Sequence, residues 1–169
     1  MSRPALRVLL VCMGNICRSP TAEAVLRQTL ADAGMEHVEV DSAGTYGGHA
    51  GRPPDERAIA HGARRGYDLS PQRARQVRPE DFDRFDWLLA MDGHNESELL
   101  KLAPAHQSGK VRRLMSFAPP GHPATVPDPY YGGAAGFEKV LDLIELGCSG
   151  FVEHLRSEQG VAPGKPAPG

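Results

Sequence analysis

Short apolar runs alternate along the chain with segments whose apolar residues recur at helical spacing. The first run, residues 6–11, contains Val8 and Val11 and predicts a buried β-strand. The segment that follows at 21–32 predicts an amphipathic helix, which Gly34 ends. By the same criteria, further strands are predicted at 38–42, 87–91 and 110–115, and further helices at 55–65, at 95–102 and from 136 onward. Strands that alternate with helices predict an α/β fold with one four-stranded parallel sheet and helices on both faces.

The chain of 169 residues is long enough for one domain with a real core. We expect that domain to span residues 1–158. Residues 159–169 are rich in Gly, Pro and Ala and have nothing to bury, so they predict a disordered tail. Two connections, 43–54 and 116–128, are rich in Gly and Pro and are expected on the surface without regular structure.

Composition narrows the function classes. A hydrophobic content of 40% and a net charge of −2 are typical of a soluble globular protein. Nothing in the chain is basic enough to predict binding to nucleic acid or to an anionic membrane. No apolar run is long enough to span a bilayer, and the first residues lack the regions of a signal peptide. Three cysteines do not make a disulfide framework. We therefore expect a cytoplasmic protein.

The connection between the first strand and the first helix has the composition of an anion-binding loop. It runs Cys-Met-Gly-Asn-Ile-Cys-Arg-Ser-Pro from Cys12 to Pro20. The first N–H groups of a helix have no partner within it, and the positive end of its dipole attracts an anion. Gly14 and Asn15 tolerate the left-handed backbone that a curled loop requires. Arg18 offers a planar fork of donors that matches two phosphate oxygens.

Cys12 is the candidate nucleophile of this loop. A cysteine set among N–H dipoles and a guanidinium loses its proton easily, and its thiolate would then face the phosphorus of a bound phosphate. The sequence leaves two interpretations open for Ser19. Its hydroxyl could donate to the thiolate, and it could serve as the helix N-cap before Pro20 at the first helical position; the two roles can coexist.

Two connections contribute candidate rim residues. Tyr46 and His49 lie in the 43–54 segment, which taken alone favours a solvated connector over a binding rim. The other connection ends at Asp128-Pro129 and is followed by Tyr130 and Tyr131. An acid on a proline-flanked loop followed by aromatic residues can close over a pocket.

The loop from Cys12 to Pro20 and the Asp128-Pro129-Tyr130 segment together resemble the low-molecular-weight protein tyrosine phosphatases. The resemblance extends from about residue 6 to about residue 155 and includes the segments 41–44 and 91–92. The Cys…Cys-Arg-Ser-Pro pattern is highly specific to this family and its arsenate-reductase relatives. It implies a four-stranded parallel sheet and no metal or organic cofactor.

The resemblance also implies roles. Cys12 would be the nucleophile that forms a phosphocysteine, Arg18 would hold the phosphoryl group, and Asp128 would be the general acid and then the base. The other residues expected around the substrate are Met13, Gly14, Asn15, Ile16, Cys17, Ser19, Tyr46, His49, Tyr130 and Tyr131. The expected substrate is a phosphotyrosine-containing protein or peptide, and phosphate and vanadate are expected ligands. Cys17 resembles the family's second cysteine, which captures an oxidised nucleophile as a disulfide.

Two positions depart from the family pattern. Many members carry a bulky apolar residue, often Trp, where this chain has Gly48, and that residue forms one wall of the slot for the aromatic ring. Many also carry His where Gln72 stands, and the histidine helps to hold the loop asparagine. Gln72 can still form hydrogen bonds but does not titrate.

Two other functions compete with the phosphatase. Arsenate reduction linked to thioredoxin needs further cysteines, and this chain offers only Cys148, which lies on the apolar face of the last helix and is expected to pack in the core. A phospho-ligand binding module without catalysis is disfavoured because Cys12, Arg18 and Asp128 are all present. A metal site on Cys12 and Cys17 is disfavoured because no second Cys/His pair stands at ligand spacing.

Overall fold

The protein is described by a computed structural model over residues 6–129 and 133–158. The strands within these residues are β1 (Arg7–Cys12), β2 (Glu39–Gly44), β3 (Trp87–Ala90) and β4 (Val111–Arg113). They form one sheet in the order β2-β1-β3-β4, and each pair is parallel. The prediction of a four-stranded parallel sheet is confirmed. The two central strands, β1 and β3, are buried on both faces and carry no polar side, which is why apolar runs marked them in the sequence.

The helices in the described residues follow the predicted alternation. They are α1 (Arg18–Asp32), α2 (Glu56–Arg64), α3 (Asp81–Arg84), α4 (Gly93–Leu102) and α5 (Gly133–Glu158), with 3-10 helices over Ala105–Lys110 and Leu114–Phe117. The strand predicted for 110–115 is shorter in the structure, because a 3-10 helix begins at Leu114. The same 3-10 helix extends to Phe117, so the first residues of the 116–128 connection have regular structure, which was not predicted. Helix α5 begins three residues before the predicted position 136.

The prediction of Ser19 as an N-cap is wrong. Helix α1 begins at Arg18, and its N-cap is Cys17, whose carbonyl accepts from the Thr21 N–H at 3.2 Å. Pro20 is therefore not the first helical residue. The Ser19 hydroxyl lies near Cys12 and Asn15 instead of bonding the free N–H groups of the helix. The N–H groups of the first turn consequently remain directed at the loop.

Helices cover both faces of the sheet, as predicted. Alternate residues of β1 pack on opposite faces because strand side chains alternate in direction. One face packs against α1 and α5, through Val8, Leu10, Leu26, Ile144, Cys148 and Phe151. The other face packs against α3 and α4, through Leu9, Val11, Phe82, Leu88 and Leu99. Cys148 is fully buried among these apolar residues, which agrees with its predicted place in the core.

A third, smaller cluster joins α2 to α5 beside the loop after β1. Its buried members are Cys17, Ala58, Leu69 and Phe137. The disordered tail predicted for 159–169 lies outside the described residues. Within the described ranges, no helix has both the length and the apolar character needed to cross a bilayer.

Helix α5 packs so closely on the 3-10 helix at Leu114–Phe117 that Gly150 has no room for a side chain. A Cβ at this position would overlap the backbone carbonyl of Phe117. We expect Gly150→Ala to lower the free energy of unfolding by about 2 kcal/mol, the cost of forcing the helix away from its neighbour. Urea denaturation measures this. Gly109→Ala, where an added Cβ meets nothing within 4 Å, is the matched control and should change stability little.

Candidate active site

The parallel register brings three strand ends to one edge of the sheet. Cys12 at the end of β1 pairs with Gly44 of β2, and the preceding Val11 pairs with Ala90 of β3. The loop after Cys12 crosses this edge, and the Tyr46 N–H donates to the Met13 carbonyl at 2.9 Å. Ligands of open parallel sheets bind beyond this edge. The predicted anion loop therefore lies where a parallel sheet places its binding site.

A pocket of about 250 Å³ opens on this loop. Its lining residues are Cys12, Met13, Gly14, Ile16, Cys17, Arg18, His49 and Asp128. Eight of the residues expected from the sequence are thus gathered around one cavity. Asn15, Ser19 and Tyr46 do not line it, and Tyr130 and Tyr131 lie outside the described residues.

The sulfur of Cys12 lies at the inner end of the pocket and is surrounded by donors. Cys12 as a whole is 2% exposed. The Asn15 backbone N–H donates to Sγ at 3.3 Å, and the Ser19 hydroxyl lies 3.1 Å from it. Donors of this kind favour the charged form of a thiol. The geometry supports the interpretation in which Ser19 hydrogen-bonds Cys12.

Asn15 shapes the loop from beneath the pocket. It has φ of 57°, in the left-handed region, where Asn is tolerated better than most residues. Its side chain is buried and donates to the Ser19 hydroxyl at 2.8 Å and the Ser42 hydroxyl at 3.0 Å. Its amide oxygen accepts from the Arg75 backbone N–H at 3.0 Å. Three separate segments therefore hold the residue in a conformation that costs free energy on its own.

Arg18 is buried and shared between two other segments. Nη1 donates to Asp92 at 2.7 Å and to the Val126 carbonyl at 3.0 Å. Nη2 lies 3.9 Å from the carboxylate of Asp128. An arginine that is 3% exposed needs such partners, because burial removes the hydration of its charge. These contacts fix the guanidinium beside the pocket.

Asp92 is the anchor of Arg18, and it was missed as a site residue in the sequence. Burial acts to raise the pKa of Asp92, but hydrogen bonds from Arg18 and the Asn95 N–H, with the charge of Arg18, hold it below its ordinary value. The pair therefore contributes stability at neutral pH that is lost only as the pH falls through that lowered pKa. The signal was present: an acid that directly follows a buried parallel strand lies at the ligand-binding edge.

Asp128 lies across the pocket from Cys12 on the connection between β4 and α5. Its side chain is 44% exposed. The next residue, Pro129, is buried, and Val126 is fully buried with its N–H donating to the Met91 carbonyl at 2.8 Å. The connection is thus fixed on both sides of Asp128 while the carboxylate faces the pocket and solvent.

The second cysteine of the loop has a different environment. Burial, with the charges of Asp55, Cys12 and Asp128, raises the pKa of Cys17 to about 12. Cys17 is therefore a neutral thiol at physiological pH. The two cysteines of the loop are consequently not equivalent as nucleophiles.

The 43–54 segment contributes one wall of the pocket, so the connector interpretation is wrong for His49. The imidazole lies directly over Gly14, where a Cβ would come within 2.9 Å of His49 Cδ2. Tyr46 is 53% exposed and meets His49 edge to face, with the ring centroids 5.7 Å apart. Its ring occupies the space that any side chain on Gly48 would need. Tyr46 thus supports the wall from outside.

The fold and the loop define a class of protein: a parallel α/β domain with a cysteine and an arginine in an anion-binding loop and a carboxylate facing them. Comparisons with known proteins narrow this class. A family model described as low molecular weight phosphotyrosine protein phosphatase matches residues 7–161. The chain belongs to this family.

Relatives and solved structures agree. The low molecular weight protein-tyrosine-phosphatase of Streptomyces coelicolor is 46% identical over 156 residues, 90% of this chain and 94% of that protein. The low molecular weight phosphotyrosine protein phosphatase of Homo sapiens is 40% identical over 148 residues, 86% of this chain and 93% of that protein. A protein tyrosine phosphatase from Entamoeba histolytica, solved with Hepes in its active site, has a TM-score of 0.88 at 37% identity. That match covers 91% of this chain and 99% of the other.

Replacing Asp92 tests the anchoring of Arg18. We expect Asp92→Asn to lower kcat/KM for an aryl phosphate by about 10- to 100-fold, because Arg18 loses its charged partner and its fixed position. Asp86→Asn is the matched control. Asp86 lies just before β3, whereas Asp92 lies just after it. The Asp86 carboxylate accepts a hydrogen bond from the Arg7 N–H at 2.9 Å, at the opposite edge of the sheet from the pocket. Equal activities of the two variants would contradict the anchoring role.

Proposed function

We propose that this chain hydrolyses phosphotyrosine in proteins, and small aryl phosphates, through a phosphocysteine on Cys12. The observation that carries the proposal is the placement of the Cys12 thiol, the Arg18 guanidinium and the Asp128 carboxylate around one pocket. The family and the printed names of its members support the reaction class. The pocket rim, with Met13, Ile16 and His49, offers apolar and aromatic surface to a phenyl ring.

In the first step the Cys12 thiolate attacks phosphorus, and the bond from phosphorus to the phenolic oxygen breaks. Asp128 in its acid form gives a proton to that oxygen, so the alcohol leaves as a neutral phenol. Arg18 and the N–H groups of the loop face the equatorial oxygens, where negative charge is held in the transition state.

In the second step water attacks the phosphocysteine. Asp128, now a carboxylate, accepts a proton from the water, phosphate leaves, and the Cys12 thiolate is regenerated. Cys17 takes no part as a nucleophile in this scheme, because its raised pKa keeps it a neutral thiol. Cys148 is also excluded, since burial in the core raises its pKa and removes it from solvent.

The defining experiment is release of phosphate from an aryl phosphate by the wild-type protein and by Cys12→Ser. We expect the variant to lose turnover by at least about 10³-fold, because a serine hydroxyl is a far weaker nucleophile at neutral pH. Its affinity for vanadate should persist, since the N–H groups and Arg18 remain. Cys148→Ala is the control and should keep its turnover per folded molecule. Retention of more than a few per cent of turnover in Cys12→Ser would exclude Cys12 as the nucleophile.

Leaving-group dependence tests Asp128. The phenolate of tyrosine, whose conjugate acid has a pKa of about 10, is a poor leaving group without a proton, whereas a strongly acidic phenol leaves unaided. We therefore expect Asp128→Ala to slow substrates with high leaving-group pKa much more than those with low pKa. The measurement is kcat/KM over a series of substituted phenyl phosphates. An equally shallow dependence in both proteins would remove Asp128 from the mechanism.

A further inference from the structure

A second cavity, of about 340 Å³, lies at the β4 side of the sheet. We call it the β4 pocket, and its lining residues are Glu96, Arg112, Arg113, Ser116 and Ala124. β4 is an edge strand, so one of its sides has no neighbouring strand in the sheet. Successive side chains of a strand point to opposite faces, so Arg112 and Arg113 border the cavity from opposite faces of the sheet.

One of these two arginines is already neutralised. Arg113 Nε donates to the Glu96 carboxylate at 2.9 Å, and this ion pair lies at the wall of the pocket. Among the described residues, the two Nη groups of Arg113 have no hydrogen-bond acceptor. The pair therefore contributes N–H donors to the pocket but no net charge.

Arg112 supplies the net positive charge of the β4 pocket. Its guanidinium lies over the ring of Phe117, 4.9 Å from the centroid, and 6.0 Å from the centroid of Trp87. Phe117 meets the fully buried Phe151 edge to face, so the ring beneath the guanidinium is itself held by the core. Aromatic faces attract a cation without neutralising it. Within the ranges that the structure describes, no carboxylate pairs with Arg112, which is exposed.

The β4 pocket and the pocket that holds Cys12 share one connection. Ala124 lines the first pocket and Asp128 lines the second. Val126, between them, is fully buried, so the connection is fixed in the protein at its middle. Four residues of chain span at most about 14 Å, and the two pocket walls are therefore no further apart than this. An extended peptide covers that distance in about four to five residues.

The strength of a surface ion pair decides what kind of anion this pocket can hold. A single exposed cation binds a free anion only weakly, because an exposed ion pair contributes little free energy. The same contact becomes effective when the anion belongs to a molecule that is already bound elsewhere, since the second contact is then intramolecular. A phosphotyrosine bound at Cys12 would bring the neighbouring residues of its own chain within this distance.

We propose that the β4 pocket binds the carboxylate of an Asp or Glu that lies about four to five residues from the phosphotyrosine in a substrate protein. Arg112 pairs with this carboxylate, and the Nη groups of Arg113 donate hydrogen bonds to it. The inference rests on the proposed function and adds a substrate class to it, namely phosphotyrosines with an acidic residue at this separation.

The test uses pairs of phosphotyrosine peptides that differ only in having Glu or Gln at one position. That position is taken in turn from about three to six residues before and after the phosphotyrosine. The measurement is kcat/KM for phosphate release at low ionic strength. We expect wild type to prefer Glu over Gln by about three- to fivefold at one or two positions, the effect of an exposed ion pair. In about 0.5 M NaCl the preference should largely disappear, because salt screens exposed charges.

Arg112→Gln should abolish this preference, so that the Glu and Gln peptides react equally within about 1.5-fold. Each enzyme is compared with itself, so a smaller folded fraction cancels in the ratio. Arg84→Gln is the matched control and should keep the wild-type preference. The Arg84 guanidinium also lies over an aromatic ring, 5.3 Å from the centroid of Phe85, but Arg84 precedes β3 and so lies at the opposite edge of the sheet.

Two results would overturn the inference. One is equal kcat/KM for the Glu and Gln peptides at every position in wild type, and the other is an unchanged preference in Arg112→Gln, which would place the acidic residue at a different contact. Failure of the proposed function would look different, because wild type would then release no phosphate from an aryl phosphate. Failure of this inference leaves that release intact and changes only the peptide ratios.

Discussion

The burial of Arg18 is the constraint on which the site depends. A guanidinium removed from water is stable only with charged and hydrogen-bonded partners, and two different segments provide them. Asp92 extends from the end of β3, and the Val126 carbonyl belongs to the connection that carries Asp128. Satisfying one cation therefore fixes the distance between the loop after β1, the neighbouring strand and the loop across the pocket. Preorganisation of the pocket is a consequence of this electrostatic requirement.

The same loop gives its two cysteines different environments by position alone. Cys12 faces donors, namely the Asn15 N–H and the Ser19 hydroxyl. Cys17 is the N-cap of α1 and packs against Ala58 and Phe137, with the carboxylate of Asp55 nearby. Desolvation and negative charge favour the neutral thiol, whereas directed N–H and O–H groups favour the thiolate. The two thiols thus differ in reactivity because their sulfur atoms face different sides of the loop.

Strands and helices that depend on a local pattern of apolar residues could be predicted from the sequence. Contacts between residues far apart in the chain could not. Buried parallel strands are apolar on both sides, so 6–11 and 87–91 marked β1 and β3 correctly. The four residues of α3 are too few to show a helical period. Asp92 was passed over because its partner is 74 positions away, and only the sheet register brings the two together. The N-cap prediction for Ser19 was wrong for a local reason, because a serine before proline is also common at the start of a helix.

The pocket rim shows how one departure from a family pattern is coupled to another residue. A side chain at Gly48 would overlap the ring of Tyr46, so a larger residue at position 48 would require the exposed Tyr46 ring to move. Tyr46 instead supports the edge of His49, and His49 lies over Gly14 at the pocket. The wall therefore ends in an imidazole, which presents a hydrogen-bonding nitrogen as well as a flat face. A substituent on the substrate ring that can exchange a hydrogen bond would meet a partner at this wall. The shape of the rim in this chain thus depends on positions 46 and 48 together.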